Sequence, residues 1–108
     1  MSTLDEMRLL TDLLRSDDNP FWRRLRALLK LRGYDPQKLV VMYSFEDDDH
    51  REFGVVVTPE KEVFTYDFDY RYRNISQGVI SRWQKATEKY SHKPYAGDFD
   101  TALRLFAA

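Results

Sequence analysis

Between Glu62 and Arg73 the chain alternates with little interruption. Phe64, Tyr66, Phe68, Tyr70 and Tyr72 occupy every second position, and Thr65, Asp67, Asp69, Arg71 and Arg73 fill the places between and after them. Successive side chains of a β-strand point to opposite faces, so this stretch reads as a strand with one aromatic face and one polar face. A slip of one residue in its pairing would turn all five rings outward, which ties the aromatic face to the protein interior. A strand of this kind needs neighbours to satisfy its backbone and a second layer to cover its rings.

The neighbours are found upstream. Leu39, Val40, Val41, Met42 and Tyr43 form a strand-tolerant run, and Phe53 to Thr58 forms another. Polar residues Glu46 to His50 separate these two, and Pro59-Glu60-Lys61 separates the second from the third. Turns this short join antiparallel neighbours. With the third strand's rings inside, Leu39, Val41, Tyr43, Phe45, Phe53, Val55 and Val57 are expected to share the inner face. Val40, Met42, Val56, Thr58, Thr65 and Asp67 are expected outside.

The covering layer comes from both ends of the chain. Leu4, Met7, Leu10 and Leu14 make one stripe of an amphipathic helix, opened by the Thr3/Glu6 capping pair. Asn19-Pro20 starts a second helix carrying Phe21, Trp22, Leu25, Leu28 and Leu29, closed near Gly33. Downstream of the strands, Asn74 with Gln77 reads as another capping pair. It precedes Ile75, Val79, Ile80, Trp83, Ala86 and Tyr90 at helical spacing, although Gly78 weakens that helix by about 1 kcal/mol. Asp98 is placed to cap a last short helix with Phe99, Ala102, Leu103 and Phe106. The expected fold is α+β, a three-stranded antiparallel meander with helices packed on one face in the order ααβββαα, forming a single domain over residues 1–108.

Composition allows this and narrows the function. At 108 residues, 43% hydrophobic and 15% aromatic, the chain has apolar surface for one core. Its 17 basic and 18 acidic side chains nearly cancel, so no overall field draws it to nucleic acid or to an anionic membrane. The absence of cysteine excludes disulfides, thiolate metal sites and cysteine nucleophiles, and fits a reducing compartment. No apolar run is long enough to span a bilayer and the first residues do not resemble a secretory signal, so the expected location is cytoplasmic.

No arrangement of residues spells out a reaction. The run Glu46-Asp47-Asp48-Asp49-His50 lacks the alternate spacing and central glycine of a calcium loop and reads as a solvated turn, so no metal or other cofactor is expected. His50 and His92 have no neighbours that would make a ligand set or a nucleophile. Asp67 and Asp69 share a strand face about 7 Å apart, a spacing that could divide acid and base roles, but Arg71 and Arg73 on the same face offer simple charge neutralisation. A carboxylate enzyme using that pair is the third-ranked reading.

Two binding readings stand above it. The first is a small non-catalytic protein-binding module of inhibitor, immunity or adaptor type, acting as a monomer or homodimer. Its expected contact surface comprises the apolar rear-face residues Val40, Met42 and Val56 with Asp67 and Asp69, and a rim of Tyr70, Arg71, Tyr72 and Arg73, near Tyr90 and Tyr95. The second is nucleic-acid binding by the second helix, where Arg23, Arg24, Arg26, Lys30 and Arg32 carry five positive charges uninterrupted by an acid.

Overall fold

The computed structural model describes residues 3–46, 51–69, 80–85 and 87–107. Helix α1 (Leu4–Ser16) begins with the expected capping box. Thr3 Oγ1 accepts the Glu6 N–H at 3.1 Å, and Glu6 Oε2 accepts the Thr3 N–H at 3.4 Å. Helix α2 (Pro20–Leu31) is capped by Asn19, whose Oδ1 accepts the Phe21 N–H at 2.9 Å, with proline in the first helical position. Gly33 closes it at φ +85°, a conformation open to glycine at no steric cost, and the Tyr34 N–H returns to Leu29 O at 3.0 Å.

After a 3₁₀ turn (Pro36–Lys38) come strands β1 (Val40–Glu46), β2 (Arg51–Val57) and β3 (Val63–Asp69). They form the expected antiparallel meander. A further strand, β4 (Ile80–Lys85), extends it, so the sheet order is β1-β2-β3-β4. The helix expected from Ile75 through Tyr90 is therefore replaced over Ile80–Lys85 by strand, and a single helical turn, α3 (Thr87–Tyr90), follows. Ile80, Trp83 and Ala86 fit a helical period, but the open edge of β3 has backbone groups to pair, and a six-residue strand satisfies them. Asn74, Gln77 and Gly78 lie outside the described residues. Helix α4 (Ala96–Ala107) starts earlier than expected. Tyr95 O accepts the first helical hydrogen bond, from Phe99 at 2.9 Å, and Asp98 stands in the first turn rather than at the cap.

The helices pack against the sheet and cover both of its faces. On one face, Val40, Met42, Tyr43, Val55, Val57 and Val63 meet Met7, Tyr90, Phe99 and Ala102. On the other, Leu39, Val41, Val56 and Tyr66 meet Leu14, Phe21, Trp22, Leu25 and Leu29. Helix α1 lies along the outer edge of β1 and contributes to both layers. The Val41 N–H donates to Thr11 Oγ1 at 3.0 Å, and Arg15 Nη2 donates to Leu39 O at 3.2 Å. One edge of the sheet is thus covered by side chains that supply the hydrogen bonds a further strand would make.

Two register features redistribute the residues expected on a single inner face. Val57 pairs with Val63 across the Thr58–Glu62 turn, so Val55 lies opposite Thr65 and Phe53 opposite Asp67. Phe53, Val55 and Val57 consequently take the face that Thr65 and Asp67 take, while Phe64 and Tyr66 take the other. In β1 a bulge at Met42 separates the Val41–Val56 and Tyr43–Val55 pairs. One extra residue reverses the alternation, and Tyr43 and Phe45 turn to the α4 side. The face expected to be an apolar rear surface is instead the floor of a second core.

Candidate functional site

The reversal at Met42 has a local product. Beyond it, β1 presents Tyr43 and Phe45 and β2 presents Phe53 and Val55 on the α4 side, where α4 no longer covers the whole sheet. A cleft of about 630 Å³ opens there. Its floor is completed by Thr65 and Asp67 of β3. Its far wall is built by Lys89 and Tyr90 of α3, Pro94 and Tyr95 of the following loop, and Asp98 of α4. The volume falls within the range of pockets that enclose a small ligand or a large side chain, about 300–1,000 Å³.

Aromatic rings dominate this cleft. Tyr43 stacks on Phe45 with centroids 5.8 Å apart, and Phe45 leans on Phe53 at 5.5 Å. Tyr95 meets Tyr43 nearly edge-on at 6.4 Å and Tyr90 at 4.6 Å. At the mouth Phe45 remains 51% and Phe53 41% exposed, although most large apolar side chains of the described chain are buried. The two phenylalanines pair directly across β1 and β2, so Phe45 packs between the ring of Phe53 and that of Tyr43.

Polar groups are few, and two of them, the Tyr43 hydroxyl and Asp98, lie at depth. The Tyr43 hydroxyl donates to Asp98 Oδ2. Burial, and then the hydrogen bond and charge of Asp98, push the phenol well above its ordinary range, so it keeps its proton and remains the donor. Asp98 is buried and lies in the first turn of α4, where the amide dipoles favour a negative charge. Asp67 is half-buried on the cleft floor. Lys89 is exposed, with Nζ 5.3 Å from the centroid of Tyr90 and 5.8 Å from that of Tyr95. Among the described residues no group of three or more histidines and carboxylates is disposed to hold a metal ion.

The residues singled out from sequence are scattered by the fold. Val40 and Met42 are 0% exposed under α4, and Val56 is 1% exposed under α2, so these three serve two cores and cannot form one contact surface. Asp67 reaches the cleft. Asp69 ends β3 with its backbone opposite Arg51, and Tyr70, Arg71, Tyr72 and Arg73 lie outside the described residues, so the expected rim is represented by Tyr90 and Tyr95 alone. The carboxylate pair is likewise described at Asp67 only.

The basic stripe of α2 is divided. Arg26 turns inward to the C-terminus of α1: Nη1 donates to Leu14 O at 2.8 Å and Leu13 O at 3.3 Å, and Nη2 donates to Asp17 O at 2.5 Å. A cation satisfying the last carbonyls of a helix is a structural clamp, which removes Arg26 from any phosphate-binding row. Arg24 is half-buried, while Arg23, Lys30 and Arg32 are exposed. Sequence reasoning assigned Tyr43, Phe45 and Phe53 to the core and Asp98 to a cap, and so missed the cleft. The available signal was a phenylalanine on each side of a polar turn, Phe45 and Phe53, at positions that a hairpin brings together.

The chain matches no protein-family model, no curated protein and no solved structure. No described helix is long and apolar enough to cross a membrane.

Proposed function

We propose that the protein is a small non-catalytic binding module that receives a side chain of a protein partner in the aromatic cleft between the sheet and α4. The observation that carries this reading is the exposed Phe45–Phe53 pair, continuous with a cleft of side-chain dimensions. Leaving two rings in water is unfavourable by about 25 cal/mol per Å² of apolar surface, and a partner that covers them recovers that energy. Rings with a tyrosine edge and a few polar groups are also the composition of contact centres in protein interfaces. Two carboxylates against one ammonium in the lining disfavour a phosphate backbone, as does the diversion of Arg26 from the α2 stripe. The absence of cysteine fits a cytoplasmic setting for such a module.

The test is affinity capture from the source cells, comparing the wild-type chain with a Phe45→Ser, Phe53→Ser double variant. Both side chains are about half exposed, so the variant is expected to fold, with an unchanged circular dichroism spectrum and a melting temperature lowered by no more than a few degrees for the lost cross-strand pair. At least one protein captured by the wild type should fall by tenfold or more on the variant, as expected for loss of a central aromatic contact of about 2 kcal/mol. Identical capture by the two chains would refute the reading.

A further inference from the structure

Three tyrosines of the cleft meet as angled walls, beside the Tyr43–Phe45 stack. Tyr43 and Tyr95 stand at 71° to each other, and Tyr90 closes on Tyr95 at 48°. The face of an aromatic ring carries the negative part of its quadrupole, so a corner of three tyrosines attracts a cation. The Tyr43 phenol strengthens the effect, because a hydrogen bond donated to the Asp98 carboxylate polarises the O–H bond and leaves more electron density on the ring. The cleft already contains a cation of its own: the Lys89 ammonium hovers over Tyr90 and Tyr95 from the solvent side.

A primary ammonium is strongly hydrated and stays at the rim, as Lys89 does. An alkylated ammonium spreads its charge over methyl groups, sheds water at lower cost and can enter an apolar corner that offers few hydrogen-bond acceptors. A free amine of this kind would need only the tyrosine corner. The exposed Phe45 and Phe53 extend the contact outward, where residues flanking a modified side chain would lie. We propose that the cleft recognises a trimethylated lysine side chain of a partner polypeptide, held by Tyr43, Tyr90 and Tyr95 above Asp98, with Lys89 as the resident occupant that the ligand displaces. This rests on the cleft being the partner-binding site.

The experiment titrates the full chain with a short glycine-serine peptide carrying one trimethyllysine, following tyrosine fluorescence and the aromatic proton resonances. Three comparison probes are the same peptide with unmodified lysine, the same peptide with the charged nitrogen replaced by carbon, and choline. The trimethyllysine peptide is expected to bind at least about fivefold more tightly than each of the others. Lys89→Gln removes the internal competitor at an exposed position and should tighten binding about two- to fivefold, whereas Tyr95→Leu should weaken it by at least as much. The proposal is overturned if the neutral isostere or unmodified lysine binds as well, if choline matches the peptide, if no probe saturates, or if Lys89→Gln weakens binding. Lysate capture that depends on Phe45 and Phe53 while the neutral isostere matches the cation would remove this inference and leave the binding module standing.

Discussion

Gly54 shows how one missing carbon sets the local architecture. It pairs with Tyr66 on β3 and with Ser44 on β1, and the Tyr66 ring crosses over it so that its hydroxyl donates to Ser44 Oγ at 2.8 Å. A Cβ at Gly54 would collide with that hydroxyl and with the backbone carbonyl of Tyr43. Gly54→Ala is therefore expected to destabilise the fold by about 1–3 kcal/mol in urea denaturation, the usual cost of overpacking. Two strand positions further along, Glu52 lies directly opposite Glu46. Partial burial, and secondarily the charge of Glu46, push its carboxyl from an ordinary 4.5 to about 7. Between those values the folded protein holds a proton that the unfolded chain has released, so this group's contribution to stability declines as pH rises from 4.5 to 7. Glu52→Gln should abolish that decline and stabilise the protein at pH 8 by on the order of 1 kcal/mol, solvent around the half-buried carboxyl reducing the full effect. Melting curves of the two proteins between pH 4 and pH 8 check both the sign and the window.

Among the elements, α1 does more than cover the core. It seals the edge of β1 through Thr11 and Arg15, and its own C-terminus is held by Arg26 of α2. The pairing of α1 with α2 is thus fixed by a charge-assisted clamp on three carbonyls as well as by the contacts of Leu14, Phe21 and Leu25. Arg26→Ala should cost about 1–3 kcal/mol of stability, whereas Arg23→Ala, an exposed change on the same helix, should stay within about 0.5 kcal/mol. Equal effects would show that the clamp contributes nothing. The bulge at Met42 is the other decisive element: without it Tyr43 and Phe45 would join Val41 on the α2 side, and Asp98 would face the sheet without its phenol.

At the scale of the whole molecule, the sheet is an inner layer rather than a wall with a wet side. Met42→Asp and Val56→Asp each place a carboxylate in a separate closed core, and each is expected to reduce stability by at least about 4 kcal/mol, leaving little folded protein in the soluble fraction. A double Phe45→Ser, Phe53→Ser variant, with changes of comparable size, should leave the fold intact. The contrast in soluble yield and thermal melting tests the two-layer burial directly.

Much of this was legible in the chain itself. Capping pairs and apolar stripes located α1 and α2, because those signals are local and lie within one turn of helix. Alternation located β3, and short polar turns made the meander antiparallel. Three outcomes were not legible: strand in place of helix at Ile80–Lys85, the face on which Phe53, Val55 and Val57 lie, and the reversal at Met42. Each depends on which backbone groups of two strands become partners, and a period-two pattern is equally satisfied by either face when both faces are buried. Sequence determined α1 and α2 with their inward stripes, and the places of the first three strands. The tertiary structure alone decided the register, and with it the gathering of Tyr43, Phe45, Phe53, Tyr90, Tyr95 and Asp98 into one cleft, because pairing energy is realised only between strands that have already met.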